Sequence, residues 1–127
     1  MLYTTVVDGS VAKFTAGWKD LDPGLLRSID SGTAITTDRM AFNYYFKRYP
    51  DFVLGLTDVP GEKIITSFEE FAEVVHRHSD VSLVTYRAHF YDESWVNVRI
   101  REYVEREFER VDDGQDDRRI MVYRARR

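Results

Sequence analysis

The sequence predicts a single α/β domain with a layered, Rossmann-like architecture, in which the sheet is mainly parallel and the C-terminal strand forms an antiparallel edge. Between Gly32 and Ala125, short apolar runs alternate with amphipathic helical runs, an order typical of strand–helix–strand units. The chain has 127 residues, of which 43% are hydrophobic and 31% charged. That length favours one domain over residues 1–127 and suffices for an independent core.

The N-terminal segment is the least regular part of the pattern. Asp8-Gly9 separates two runs of β-forming residues, a spacing that indicates a hairpin. An irregular lead-in is the alternative, because an isolated hairpin needs a surface to pack on. We therefore take residues 1–17 as a lead-in or hairpin and residues 18–125 as the core.

The first predicted helix follows this segment. Asp22 is suited to cap it, and Pro23 suits its first position. Leu25, Leu26 and Ile29 then recur at helical spacing. The helix ends near Gly32, and residues 33–37 read as the first buried strand.

A second helix is predicted over residues 38–48. Its apolar face is assigned to Met40, Ala41, Tyr44 and Tyr45, and Pro50 is expected to stop it. Two short strands are expected next, over residues 52–56 and 64–66.

The C-terminal half continues the alternation. Ser67 and Glu70 form a capping-box pattern before a helix over residues 68–78. Residues 81–90 form the best strand candidate, since the run carries few charges. Asp92 is expected to cap a helix over residues 93–109. The last strand, residues 120–123, is expected to pair antiparallel with a short strand near residues 109–111.

Composition excludes several classes of function. The net charge is −4 and no basic stripe is interleaved with aromatic residues, so we expect no nucleic-acid partner. The chain has no cysteine, which rules out disulfides and thiolate chemistry. No apolar run approaches the roughly 20 residues of a membrane span. We expect no span and no signal peptide in this chain.

Four residues follow the carboxyl ends of two predicted strands. They are Thr37, Asp38, His89 and Asp92. In open α/β sheets ligands bind beyond those ends, so these residues are candidates for one binding crevice, or for a small acid/base or metal cluster. The structural alternative is that Thr37 or Asp38 caps one helix and Asp92 caps the next.

Tyr44 and Tyr45 are candidates for an aromatic binding surface, although packing of the helix on the sheet is the favoured explanation. His76 and His78 are two apart and so do not share a helix face. The acidic turn at residues 112–117 lacks the ligand spacing of a calcium loop. No nucleotide loop or nucleophile motif occurs. We therefore expect no catalytic residue, no metal site and no cofactor in this chain.

Several segments occur in an order that is familiar from one group of proteins. They are Trp18-Lys19-Asp20-Leu21, Gly32-Thr33-Ala34-Ile35-Thr36-Thr37-Asp38-Arg39, Asn43-Tyr44-Tyr45-Phe46, Ser67-Phe68-Glu69-Glu70, Val81-Ser82-Leu83-Val84-Thr85 and Ile120-Met121-Val122-Tyr123-Arg124. This order resembles the soluble C-terminal α/β domain of multispanning membrane glycosyltransferases, the polyprenyl-phosphate-sugar-dependent enzymes related to protein mannosyltransferases. The resemblance covers roughly residues 14–124.

The resemblance implies an accessory role. In that group the catalytic acidic residues belong to the membrane portion, so no catalytic residue is carried over to this chain. The implied partners are a membrane-embedded portion of a parent protein or a glycan or lipid-linked acceptor, and the implied location is extracytoplasmic. The alternatives are a stand-alone α/β binding or regulatory protein, which we would expect in the cytoplasm, and a small metal-dependent hydrolase using Asp38, His89 and Asp92.

Overall fold

The computed structural model describes residue 18 and residues 21–57, 59–112 and 119–126. It confirms the predicted α/β class. The predicted hairpin or lead-in at residues 1–17 lies outside the described residues. The helices are α1 (Pro23–Ser31), α2 (Arg39–Phe46), α3 (Phe68–Arg77), α4 (Arg87–Phe90) and α5 (Val98–Glu107). The strands are β1 (Thr33–Thr36), β2 (Phe52–Leu54), β3 (Ile64–Ile65), β4 (Val81–Tyr86), β5 (Phe108–Arg110) and β6 (Ile120–Ala125).

The described strands form one six-stranded sheet in the order β3-β2-β1-β4-β6-β5. β3, β2, β1 and β4 are parallel, while β6 pairs antiparallel with both β4 and β5. The predicted pairing of the last strand with a short strand before it is confirmed. Its predicted edge position is wrong: β6 has a partner on each side, and β5 forms the edge.

Both faces of the sheet are covered. Neighbouring residues of one strand enter opposite cores, because successive strand side chains point to opposite faces. Ala34 packs with Trp18, α1 and α2, whereas Ile35 packs with α3 and α5. Leu83 and Val84 divide between the two cores in the same way. This double burial explains why these strands read as continuous apolar runs.

The predicted helix starts are confirmed where a side chain caps the backbone. Asp22 accepts from the backbone N–H of Gly24 and Leu25, at 2.9 and 3.2 Å. Ser67 Oγ accepts from the N–H of Glu70 at 3.2 Å. The Glu70 carboxylate reaches back to the N–H of Thr66 at 3.2 Å, which completes the reciprocal pair.

Helix α2 differs from its prediction in both its buried face and its end. Met40 is 67% exposed, and the buried residues are Ala41 and Phe42. Tyr45 and Phe46 pack against the same core as Ala41 and Phe42, so the core-facing side is centred one position away from the predicted one. It ends at Phe46, where Lys47 adopts a left-handed conformation at φ 61°, so Pro50 plays no part in stopping it.

The predicted strand over residues 81–90 ends at Tyr86. The last hydrogen bond between this strand and the segment that leads into β6 is donated by the N–H of Arg87 to the carbonyl of Arg119, at 2.8 Å. β1 pairs with this strand as far as Val84 and β6 as far as Tyr86, and the chain then turns into the single helical turn α4. His89 therefore lies on a helical turn, not at the end of a strand.

The predicted helix over residues 93–109 is shorter than expected at both ends. Asn97 caps α5, accepting from the N–H of Arg99 at 2.8 Å. Phe108 leaves the helix to pair with β6. Val96, predicted on the helix face, is buried within the preceding loop instead. None of the helices in the described part of the chain has the length and apolar composition to cross a membrane.

Candidate functional site

The chain changes direction across the sheet between β1 and β4. From β1 it proceeds outward to β2 and β3, and it then returns to place β4 on the other side of β1. In open α/β sheets this arrangement leaves a crevice at the carboxyl ends of the two central strands, where ligands bind. The candidate site is therefore the set of residues that follow β1 and β4.

The structure brings Thr37 and His89 into direct contact at this point. Thr37 Oγ1 lies 3.0 Å from His89 Nδ1 and 2.9 Å from Thr85 Oγ1. Both threonines are buried, at 2% and 1% exposure. Their hydroxyl groups thus hold the imidazole to the end of the sheet rather than facing a ligand.

The imidazole of His89 stacks on the indole of Trp95. The ring centroids are 3.7 Å apart and the planes differ by 10°. Tyr86 meets the same imidazole edge-on at 5.2 Å, and Trp18 Nε1–H donates to the Tyr86 hydroxyl at 3.0 Å. His89 is consequently fixed on one side by Thr37 and on one face by an aromatic ring.

Burial lowers the pKa of His89 from its ordinary value, and the negative charges of Asp38 and Asp92 oppose that shift. Moving the charged imidazolium out of water costs more free energy than its attraction to the two carboxylates provides. The neutral form of His89 is therefore favoured at neutral pH.

Asp38 and Asp92 both lie near His89, and each also has a backbone partner. Asp38 Oδ1 accepts from the N–H of Ala41 at 3.0 Å as the cap of α2, as predicted. Asp92 Oδ1 accepts from the N–H and Oγ of Ser94 at 2.8 and 2.6 Å. The prediction that Asp92 caps the following helix is wrong, because its carboxylate closes a tight turn five residues before Asn97. The same Ser94 bonds lower the pKa of Asp92.

Tyr44 and Tyr45 occupy different environments. The Tyr45 ring lies 5.8 Å from Trp18 and belongs to the edge of a core. Tyr44 is exposed, with the ammonium group of Lys47 4.7 Å from its ring centroid. The two rings do not form one stacking platform.

Sequence reasoning did not place two members of this site. Trp95 falls within the predicted helix over residues 93–109, but it is 42% exposed and stacks on His89. Thr85 lies within the strand predicted over residues 81–90, and its hydroxyl group contacts that of Thr37. The available signal was position, since Thr37 follows β1 and Thr85 follows the last β4 residue that pairs with β1.

The described residues contain no group of three or more His, Cys, Asp or Glu side chains that could hold a metal ion. His78, one of the two neighbouring histidines, has its ring 5.8 Å from that of Phe52 at the side of β2. His89 has Asp38 and Asp92 as charged neighbours, and each of those carboxylates is engaged with backbone N–H groups.

A hollow of about 320 Å³ lies at the opposite end of the sheet. It is lined by Glu109, Arg124, Ala125 and Arg126. Because β6 runs antiparallel to β4, its last residues lie at the amino end of the parallel strands. The hollow is therefore separate from the crevice at His89.

No protein-family model matches this chain, and no curated protein matches its sequence.

Proposed function

We propose that this chain is a non-catalytic accessory domain of a membrane glycosyltransferase-like protein, and that it binds an acceptor or a partner at the carboxyl ends of β1 and β4. The observation that carries the proposal is the stacked pair of His89 and Trp95. Exposed aromatic rings beside a few fixed polar groups are typical of binding sites and interfaces. The resemblance of the segment order supplies the glycosyltransferase context.

Two of the three candidate acid and base groups, Asp38 and Asp92, are engaged within the fold, which favours binding over catalysis. Asp38 and Asp92 are acceptors for backbone N–H groups, and Thr37 is buried against Thr85. A nucleophile or general base must reach the reacting atoms of a substrate. Trp95, by contrast, is 42% exposed.

The size and location of the native protein test the accessory role. An antibody raised against this chain would be used on fractionated source cells. We expect a band several times larger than 15.0 kDa in the membrane fraction. A band near 15 kDa in the cytosolic fraction would reject the accessory role and favour a stand-alone binding protein.

A further inference from the structure

A continuous hydrogen-bond chain runs from His89 into the sheet, and its direction is determined by its last member. Thr85 Oγ1 donates to the backbone carbonyl of Tyr86 at 3.1 Å. A carbonyl oxygen accepts and never donates, and a hydroxyl group has one proton. Thr85 has therefore used its proton, and it receives one from Thr37 across 2.9 Å.

The same count of hydroxyl protons applies to the contact between Thr37 and His89. Thr37 has given its proton to Thr85, so its oxygen accepts across the 3.0 Å contact with His89 Nδ1. The reverse direction would leave the Thr85–Tyr86 bond unmade inside a buried site, which costs a hydrogen bond. His89 is thus the Nδ1–H tautomer, with the lone pair on Nε2.

Nε2 of His89 is available to a ligand. The described residues supply no hydrogen-bond partner to this atom, and the ring is only partly buried. Since burial lowers the pKa of His89, Nε2 carries a lone pair rather than a proton at neutral pH. The atom is an acceptor with a fixed orientation.

The surroundings of Nε2 define what complements it. Among the described residues, the carboxylates of Asp38 and Asp92 favour the charged form of the imidazole, and both also accept hydrogen bonds. The smaller imidazole covers only part of the indole of Trp95, which remains 42% exposed. A matching ligand has hydrogen-bond donors beside an apolar face.

We propose that His89 Nε2 and the uncovered part of the Trp95 ring bind an uncharged sugar ring. A sugar hydroxyl donates to Nε2, and C–H groups of the ring pack on the indole. This assignment rests on the proposed function, since it names the ligand class for the same edge of the sheet. A cationic group is the competing chemistry, because the two carboxylates would attract it.

The tautomer is tested first by two-bond proton–nitrogen NMR on uniformly labelled protein, with His89 assigned through His89→Phe. We expect Nδ1 to carry the proton. In Thr85→Val the acceptor of the Thr37 proton is lost, so Thr37 donates to Nδ1 and the proton moves to Nε2. Thr85→Ser should retain the wild-type tautomer, and Thr66→Val serves as a remote hydroxyl control. A proton on Nε2 in the wild-type protein overturns the proposal.

Ligand class is tested by titration with methyl α-glucopyranoside, methyl α-mannopyranoside and methyl α-galactopyranoside. The chain has two tryptophans, so the indole N–H spectrum contains a reporter and an internal reference. We expect at least one glycoside to shift Trp95 and leave the buried Trp18 unmoved. His89→Phe removes Nε2 and keeps a ring beside Trp95, so it should weaken that binding about fivefold, the effect of losing one hydrogen bond.

Two results overturn the sugar assignment. One is that no glycoside moves the Trp95 signal, and the other is that arginine amide moves it while the glycosides do not. Neither result bears on the native size and membrane association of the protein, so the proposed accessory role is judged separately.

Discussion

At the scale of single residues, His89 is held by three different kinds of contact. Thr37 bonds Nδ1, Trp95 stacks on one ring face, and Tyr86 meets the ring edge-on. Burial lowers the pKa of the imidazole, while Asp38 and Asp92 act in the opposite direction. These contacts make His89 the residue of the site whose protonation state depends most directly on folding.

Stability should consequently depend on pH through His89. The unfolded chain binds a proton near pH 6.5, whereas the folded chain binds it at a lower pH. The contribution is present above pH 6.5 and is lost as the pH falls toward the folded-state pKa. Urea unfolding at pH 7.5 and below pH 6 should show a larger loss for wild type than for His89→Phe. An equal loss in both proteins would contradict this assignment.

Asp38 offers a test that separates capping from chemistry. Asp38→Ala removes the side-chain acceptor of the Ala41 N–H and should lower the free energy of unfolding by about 1 kcal/mol. Asp38→Asn retains a capping oxygen and should recover most of that loss. Urea denaturation measures both variants. If Asp38→Asn is as unstable as Asp38→Ala, the carboxylate charge rather than the cap is the important feature.

At the scale of elements, α2 ends in a conformation that its sequence does not favour. Lys47 is left-handed, and its N–H donates to the carbonyl of Asn43 at 2.8 Å. Glycine is the usual residue at this position, because a Cβ atom strains the backbone there. The helix thus ends by a strained cap in place of the proline stop.

Lys47→Gly should raise the free energy of unfolding by about 0.5–1 kcal/mol, since relief of strain exceeds the entropy cost of glycine. Lys47→Ala retains the strain and loses the contact with Tyr44, so it is the matched control. Thermal or urea unfolding compares the two. A Lys47→Gly protein less stable than Lys47→Ala would contradict the strained cap, because both variants lack the lysine side chain and the entropy cost of glycine would then exceed the strain.

Local signals predicted the elements well where the local sequence determines them. Asp22, Ser67 and the apolar stripe of α3 gave helix starts that the structure confirms. The predictions failed where an element ends because of pairing with a strand that is distant in sequence. β4 pairs with β1 as far as Val84 and with β6 as far as Tyr86, and Phe108 leaves α5 to pair with β6. Periodicity within one segment contains no information about either partner.

Only part of the candidate site was predicted, because some of its contacts also depend on segments that are distant in sequence. Position after a strand identified Thr37, Asp38 and His89, and the structure places Asp38 near His89 and Thr37 in contact with it. The stacking of Trp95 depends on a loop that the sequence suggested would be helical. The hydroxyl of Thr85 belongs to the site because β4 lies beside β1, a pairing that only the sheet order reveals.

At the scale of the whole molecule, Trp18 connects the beginning of the described chain to the site. It is 1% exposed, contacts Phe42, Tyr45 and Phe46, and donates to the hydroxyl of Tyr86. Tyr86 in turn borders His89. The core on this face and the crevice at the sheet edge are thus adjoining parts of one packed structure.

Trp18→Ala should lower the free energy of unfolding by about 3–5 kcal/mol, a large fraction of the stability of a small domain. Trp18→Phe keeps much of the packing and loses the bond to Tyr86, so its cost should be clearly smaller. Calorimetry or urea unfolding distinguishes them. Equal costs would indicate that the hydrogen bond, not the buried ring, supplies the stability.

The central claim is that the carboxyl edge of β1 and β4 is the contact surface of this domain. Photocrosslinking in source cells tests it directly, with benzoylphenylalanine placed at Glu93 beside Trp95 and, as a control, at exposed Glu73 on α3. We predict crosslinked products in the membrane fraction from position 93 and few or none from position 73. Crosslinks confined to position 73, or equal yields from both positions, would contradict the account.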